Sequence, residues 1–360
     1  MEALIEYAVF LAKTVTLVLA LVFILTAVGA VAQRSRSDKR GHICVDKLND
    51  QLSDYEVLLR ESVQDKREFK HWSKEKKKTE KKAEKQSDKK SHKKSAKKDS
   101  EAQNGSDLGG PDSGAKKNVF VLDFEGDVRA SSAEALAEEI TAILTIADPE
   151  RDEVLVKIES PGGVVHGYGL AASQLDRIKR KGVKLVVAID KVAASGGYLM
   201  AVIADKILAS PFAVVGSIGV VAQLPNFHRL LKKHDVDVEL HTAGEFKRTL
   251  TVFGQNTDKG REKFREELED VHGLFKDFIA DHRPQVDLAE VATGEHWFGA
   301  RALEHRLVDE LITSDEYLVE TAKSANVFMV SYESKETLVD KIGHQFRLLA
   351  RRTVKAGYEI

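Results

Sequence analysis

The sequence predicts an α/β domain, a mainly parallel sheet covered by helices, set behind one N-terminal membrane-spanning helix. Three observations predict it. From residue 118 onward, short runs rich in Val, Ile and Leu alternate with stretches of helical periodicity, the pattern of strand–helix units. Three glycine-rich segments each follow a predicted strand. Residues 14–33 carry no charge and are almost entirely apolar, about the 20 residues a helix needs to cross a bilayer core.

Taken in order, residues 8–33 are expected to form the anchor. The segment before the apolar run holds Glu2 and Glu6 with only Lys13, unlike the basic start of a cleaved leader, and the run exceeds a typical leader core. A retained single-pass helix follows. Arg34, Arg36, Lys39 and Arg40 come directly after it, so the positive-inside rule places the remainder in the cytoplasm, with the periplasm as the alternative. Apolar residues at helical spacing (Ile43, Leu48, Leu52, Tyr55, Leu58, Leu59) predict a juxtamembrane helical stalk over 34–70. Residues 71–117 read as a lysine-rich disordered linker. Between 74 and 98 lie 13 lysines with no apolar periodicity, which cannot bury a core. Such a stretch is a solvated spacer or a polybasic contact with anionic lipid.

The folded domain is expected over 118–325, followed by a C-terminal extension over 326–360. Strands are predicted at 118–124, 154–158, 183–189, 206–209, 219–222 and 238–242. Helices are predicted at 132–144, 166–180, 196–204, 227–234, 259–282 and 300–311.

Charge is segregated along the chain. Residues 34–117 hold 24 Lys/Arg against 16 Asp/Glu, a net of +8, and residues 118–360 hold 30 against 39, a net of −9. An acidic domain gives no footprint for nucleic acid, and the basic stretch lacks the interleaved aromatic residues that stack on bases. The single cysteine, Cys44, rules out an intrachain disulfide.

The glycine-rich segments are Ser160-Pro161-Gly162-Gly163, Ala193-Ala194-Ser195-Gly196-Gly197-Tyr198 and Gly216-Ser217-Ile218-Gly219. Glycine after a strand permits sharp turns and close approach of backbone to a ligand. In open α/β sheets, ligands bind at the carboxyl ends of the strands. Ser195 sits between a strand and a helix, where its hydroxyl can face a ligand. A serine needs a base to take its proton. No His–Asp pair stands out, and a lysine can serve if burial lowers its pKa. Spacing alone does not choose among the lysines.

The segments ESPGG (159–163), DKVAASGGY (190–198), VGSIGVVAQ (215–223), HTAGEFKRTLTVFGQNT (241–257) and VATGEHW (291–297) together resemble the SohB branch of the signal peptide peptidase A family. The resemblance covers about residues 1–50 and 118–325. It implies a Clp protease/crotonase-like fold of repeated ββα units and a bacterial serine–lysine endopeptidase acting on unfolded or membrane-derived peptides. It implies Ser195 as nucleophile, Lys247 as general base and Ser217 as the residue orienting the lysine. Gly196 and the Gly162–Gly163 pair correspond to the oxyanion hole. No metal or organic cofactor is required by that chemistry. A homo-oligomer in the bacterial inner membrane is expected, with each site near a subunit interface and the helix 259–282 as a candidate contact. Two readings from other classes compete: a non-enzymatic membrane scaffold, and a crotonase-like acyl-CoA enzyme. Two positions depart from the family pattern. Glu159 stands where many members have Asn, and Arg306 stands where a glycine would form a left-handed helix cap.

Overall fold

A computed structural model describes residues 16, 41–78 and 116–333. The predicted anchor, apart from Thr16, lies outside them, as do residues 79–115 of the lysine-rich segment and the extension beyond 333. Among the described residues no helix is long and apolar enough to cross a membrane. The chain divides into two units, one including 41–44 and 332–333, the other comprising 45–331.

The fold is α/β. A seven-stranded sheet runs in the order β1 (His42–Lys47), β10 (Asn326–Glu333), β2 (Asn118–Glu125), β3 (Glu153–Glu159), β4 (Lys184–Ile189), β6 (Lys206–Ala209), β9 (Glu310–Leu311). The pairs from β10 through β9 are parallel. A second sheet of three strands places β7 (Val214–Gly216) between β5 (Val192–Ala194), parallel to it, and β8 (His296–Phe298), antiparallel. Strands β2, β3 and β4 are near-continuous runs of Val, Leu and Ile, as expected of parallel strands buried on both faces. Val119, Val121, Leu155, Val186, Ala188 and Leu208 form one apolar layer with Leu318 of α10 (Ser314–Ala322). On the core also pack α3 (Ala133–Leu144), through Leu136, Ile140 and Ile143, and α4 (Val165–Arg180), through Tyr168, Leu175 and Ile178.

Several elements differ from the sequence expectation, each for an identifiable reason. The helical stalk expected over 34–70 includes residues 42–47, but these form β1 before α1 (Leu48–Val63) begins. β-branched Ile43 and Val45 suit an edge strand, and β10 lies next to β1 in the sheet. A further helix, α2, covers 66–78. The side chain of Asn49 in α1 donates to Ala322 O and Ala325 O at 3.0 Å each and accepts from Val327 N at 2.8 Å. It thereby satisfies carbonyls at the end of α10. β10 carries the sheet beyond the 325 boundary read from sequence. The helix predicted over 300–311 stops early, as α9 (Gly299–Glu304), because Arg306 adopts φ 59°. The strands predicted at 219–222 and 238–242 are absent.

Two ionic clusters, each centred on one buried charged side chain, tie distant segments together. Arg283 follows the long helix α7 (Asp258–His282) and is 3% exposed. It holds Asp309 with two bonds of 2.8 and 2.9 Å and also donates to Arg306 O. Glu153 accepts from Lys117 and Lys184 Nζ at 2.9 Å each and from the Tyr317 hydroxyl at 2.6 Å. Burial alone would raise the Glu153 pKa, but these three donors outweigh it and hold the carboxyl below its ordinary range.

Candidate active site

β5 ends at Ala194 and helix α5 (Gly196–Ala201) starts two residues later, leaving Ser195 on the turn between them. Ser195 has φ 52° and ψ −117°. That lies outside the left-handed helical well, a conformation costing roughly 1–3 kcal/mol for a residue with a Cβ. The surroundings impose it. The Ser195 amide donates to Gly216 O at 2.7 Å, and its carbonyl accepts from Leu199 N at 2.9 Å. Its hydroxyl makes no capping bond, so the usual structural reason for a serine before a helix does not apply. A strained backbone, a half-buried position and a hydroxyl uncommitted among the described residues together fit a presented nucleophile.

The turn after β3 meets this serine. Ser160 pairs with Ala193: its amide donates to Val192 O at 2.8 Å and its carbonyl accepts from Ala194 N at 3.0 Å. Gly162 has φ 87°, and a Cβ there would lie 2.7 Å from both Ala194 O and the Ser195 Cβ. Only glycine lets the two turns approach this closely. A Cβ on Gly163 would come within 2.1 Å of Val128 O, so that residue too is confined to glycine. The amides of Gly163 and Gly196 have no hydrogen-bond partner among the described residues. They are therefore available to an oxyanion.

The Gly162 amide is committed instead. It donates to Ser160 Oγ at 3.1 Å, Ser160 Oγ lies 2.5 Å from the Tyr168 hydroxyl, and that hydroxyl donates to Asp127 O at 2.8 Å. The single phenolic proton goes to Asp127 O, so the Ser160 proton must point to Tyr168. A chain of one polarity results, from the Gly162 amide through Ser160 and Tyr168 to the Asp127 carbonyl. Burial pushes the Tyr168 phenol up, which keeps it a donor. The Asp127 carboxylate fixes its own loop. It accepts from the Ser131 amide and hydroxyl at 2.8 Å each and from Arg129 N at 3.0 Å, which hold it below its ordinary range. The pair also fills the space behind both turns. A Cβ on Gly196 would meet the Tyr168 ring at 2.3 Å, and one on Gly197 would meet Ser160 O at 2.8 Å. Sequence reading misses Tyr168 and Asp127. Among its signals, only the small residues around them hint at such crowding.

β7 pairs with β5 so that Gly216 faces Ala194, which sets Ser217 one residue beyond the strand end, beside Ser195. Ser217 has φ 52°, and its amide donates to Glu295 O at 2.8 Å. Its hydroxyl has only a long contact of 3.5 Å with Gly294 O. The structure thus brings together Ser195, Ser217, Gly162, Gly163 and Gly196.

Lys247 is different. It is exposed, on a turn closed by its own amide donating to Gly244 O at 3.2 Å. No hydrogen bond or ion pair joins its ammonium to Ser195, Ser217 or any other described residue. The turn is fixed to the start of α7 by the Glu245–Lys259 ion pair and by Phe246, which lies 5.7 and 5.6 Å from the ammonium groups of Lys259 and Lys263. Glu159, without a role from sequence, pairs with Lys191 at 2.7 Å on the surface. His166 is exposed in the first turn of α4.

Comparison with known proteins supplies the family. The model of the peptidase family S49 N-terminal region matches residues 2–175, and that of peptidase family S49 matches residues 177–328. A protein of Haemophilus influenzae named probable protease SohB is 49% identical over 344 residues, covering 96% of this chain and 93% of that protein. A probable protease SohB of Buchnera aphidicola (subspecies Schizaphis graminum) is 46% identical, covering 90% and 88%. Among solved structures, the 1510-N membrane-bound stomatin-specific protease aligns at TM-score 0.38 and 12% identity, over 57% of this chain and 85% of that one.

Proposed function

The chain belongs to peptidase family S49 and is a peptidase, and we propose that it is a membrane-anchored serine endopeptidase working through Ser195 and Lys247. The observation that carries this reading is Ser195 itself, strained at φ 52°, its hydroxyl and the nearby amides of Gly163 and Gly196 all without a hydrogen-bond partner among the described residues.

In this mechanism neutral Lys247 takes the Ser195 proton as the hydroxyl attacks the scissile carbonyl. It then passes that proton to the leaving amine. The Gly163 and Gly196 amides stabilise the oxyanion, where loss of one donor typically costs about 10²–10³ in rate. Water then hydrolyses the acyl-enzyme on Ser195. Ser217 orients the lysine. A lysine base needs burial to lower its pKa toward neutrality, and Lys247 is exposed here. Homo-oligomerisation, with each site near a subunit interface, supplies the covering, and the exposed face of α7 around Leu274 is a candidate contact. The alternation of β4 with β5 and of β6 with β7, one strand in each sheet, fits a Clp protease/crotonase-like spiral of ββα units.

Residues 8–33 anchor the chain in the bacterial inner membrane, and the basic residues after them place the peptidase domain in the cytoplasm. Substrates are unfolded segments or membrane-derived peptides. The lysine-rich stretch 74–98 contacts anionic lipid. A C-terminal reporter checks orientation: green fluorescence without alkaline phosphatase activity is expected, and the reverse pattern contradicts the cytoplasmic placement.

The chemistry is tested with the detergent-solubilised protein on unfolded casein and synthetic signal peptides, alongside Ser195→Ala and Lys247→Ala. Cleavage by the wild type and near-complete loss in both variants is expected. Equal behaviour of all three overturns the mechanism.

A further inference from the structure

The geometry points to a metal site at His42, Cys44 and Glu333, a three-ligand centre for a zinc-class divalent ion that clips strand β1 to strand β10. One ligand atom from each residue, an imidazole nitrogen, the thiol sulfur and a carboxylate oxygen, lies within 4.8 Å of the other two. The secondary structure explains the convergence. His42 and Cys44 are two apart on β1 and so project from the same face of the strand. Glu333 is the last residue of β10, the neighbouring strand in the sheet. The two chain segments are in direct contact there, since the Gly41 amide donates to the Tyr332 hydroxyl at 2.7 Å and a Cβ on Gly41 would come 2.4 Å from Glu333 O.

A surface ion pair accounts for only part of this arrangement. His42 Nε2 and a Glu333 oxygen are 3.9 Å apart, with both side chains more than 60% exposed, an interaction worth little in water. The chain's only cysteine also brings its sulfur into this cluster, and a metal ion would use all three groups at once. Ligands at 2.0–2.3 Å from a tetrahedral ion stand about 3.3–3.8 Å from one another, so the three atoms need to close by about 1 Å through side-chain rotation alone. The donor set selects the ion. A thiolate and an imidazole favour zinc and its neighbours, whereas calcium and magnesium require all-oxygen shells. Charge also closes: thiolate and carboxylate together neutralise a divalent ion, with the imidazole neutral. Three protein ligands leave a fourth position for water. Binding deprotonates the thiol and competes with protons for the imidazole, so affinity falls as pH is lowered.

The test uses the full chain in detergent, free of any affinity tag, titrated with Co²⁺ as a spectroscopic probe and then with Zn²⁺. One Co²⁺ per chain with a thiolate-to-metal charge-transfer band, bleached by one Zn²⁺, is the expected result. Cys44→Ser abolishes the band, while His42→Ala and Glu333→Gln weaken Zn²⁺ binding at least about tenfold, with circular dichroism unchanged in all three. Absence of the band overturns the site. So does a band that survives Cys44→Ser, or Zn²⁺ affinity that is indifferent to His42 and Glu333. One ion per two chains contradicts a clip within one chain. None of these readouts depends on peptidase activity.

Discussion

The turn that carries Ser195 and the segment that carries Lys247 are built in opposite ways. Around Ser195 the chain is crowded to the limit of van der Waals contact: Ser160 and Tyr168 are fully buried, their hydroxyls are paired, and glycines stand wherever two backbones meet. The segment 219–256 has no strand and one short helix, α6 (His228–Lys233). Its apolar side chains face outward, with Val221 91%, Leu230 53% and Phe253 52% exposed. Turn bonds, such as the Asn226 amide on Thr251 O and Gly254 O, hold its shape without burying it. On the proposed mechanism, a single chain builds the nucleophile and oxyanion half of the site to the density of a core and leaves the half bearing the base to be completed by what covers it.

Four substitutions sharpen that contrast, in order of falling effect. Arg283→Met removes the buried guanidinium that holds Asp309 and Arg306 O. Asp309 is partly solvated and keeps its bond from the Ile207 amide, so a loss of about 1.5–3 kcal/mol is expected and the urea midpoint should drop accordingly. A change under about 1 kcal/mol would mean that this cluster does not hold α7 to the body. Next, Ser160→Ala frees the Gly162 amide and loosens the turn that sets Gly163. We expect kcat to fall about 10- to 100-fold with KM nearly unchanged, because the loss falls on the transition state. A rise in KM at constant kcat would mean instead that the turn only binds substrate.

The third concerns pH. Glu153 has a folded-state pKa below its unfolded value. Its stabilisation is therefore present above the ordinary glutamate range near 4.3 and is lost as pH falls through the lower folded value. Glu153→Gln should flatten the acid limb of a stability–pH profile by about 1–3 kcal/mol. An unchanged acid limb would place the acid-labile group elsewhere. Smallest is Arg306→Gly, which relieves the φ of 59° after α9. It should raise stability by up to about 1 kcal/mol in thermal unfolding, and a decrease would show that the Arg306 side chain matters more than its backbone.

Much of the body was legible from residue types alone. β2, β3 and β4 announce themselves as dense runs of Val, Leu and Ile, α3 and α4 as apolar stripes at helical spacing, and α7 as a long charged helix. The strands expected at 219–222 and 238–242 fail because alternation specifies a strand face but not a pairing partner, and among the described residues none pairs there. β7 and β8 escape notice because three residues each are too short for periodicity. Arg306 is the opposite case: the departure from glycine in sequence marks a left-handed residue in the structure. Ser195, Ser217 and the paired glycines converge because each ends a strand. The chain from Gly162 through Tyr168 to Asp127 was invisible, since it joins residues up to 41 positions apart through backbone atoms that no motif records.

The most direct test of the account is covalent labelling by a fluorophosphonate, with the modified peptide identified by mass spectrometry. The account predicts one adduct, on Ser195, none in Ser195→Ala, and labelling slowed at least about 10²-fold in Lys247→Ala, although that exposed substitution should leave stability within about 0.5 kcal/mol of wild type. An adduct on another residue, or Lys247→Ala labelling at the wild-type rate, would contradict it.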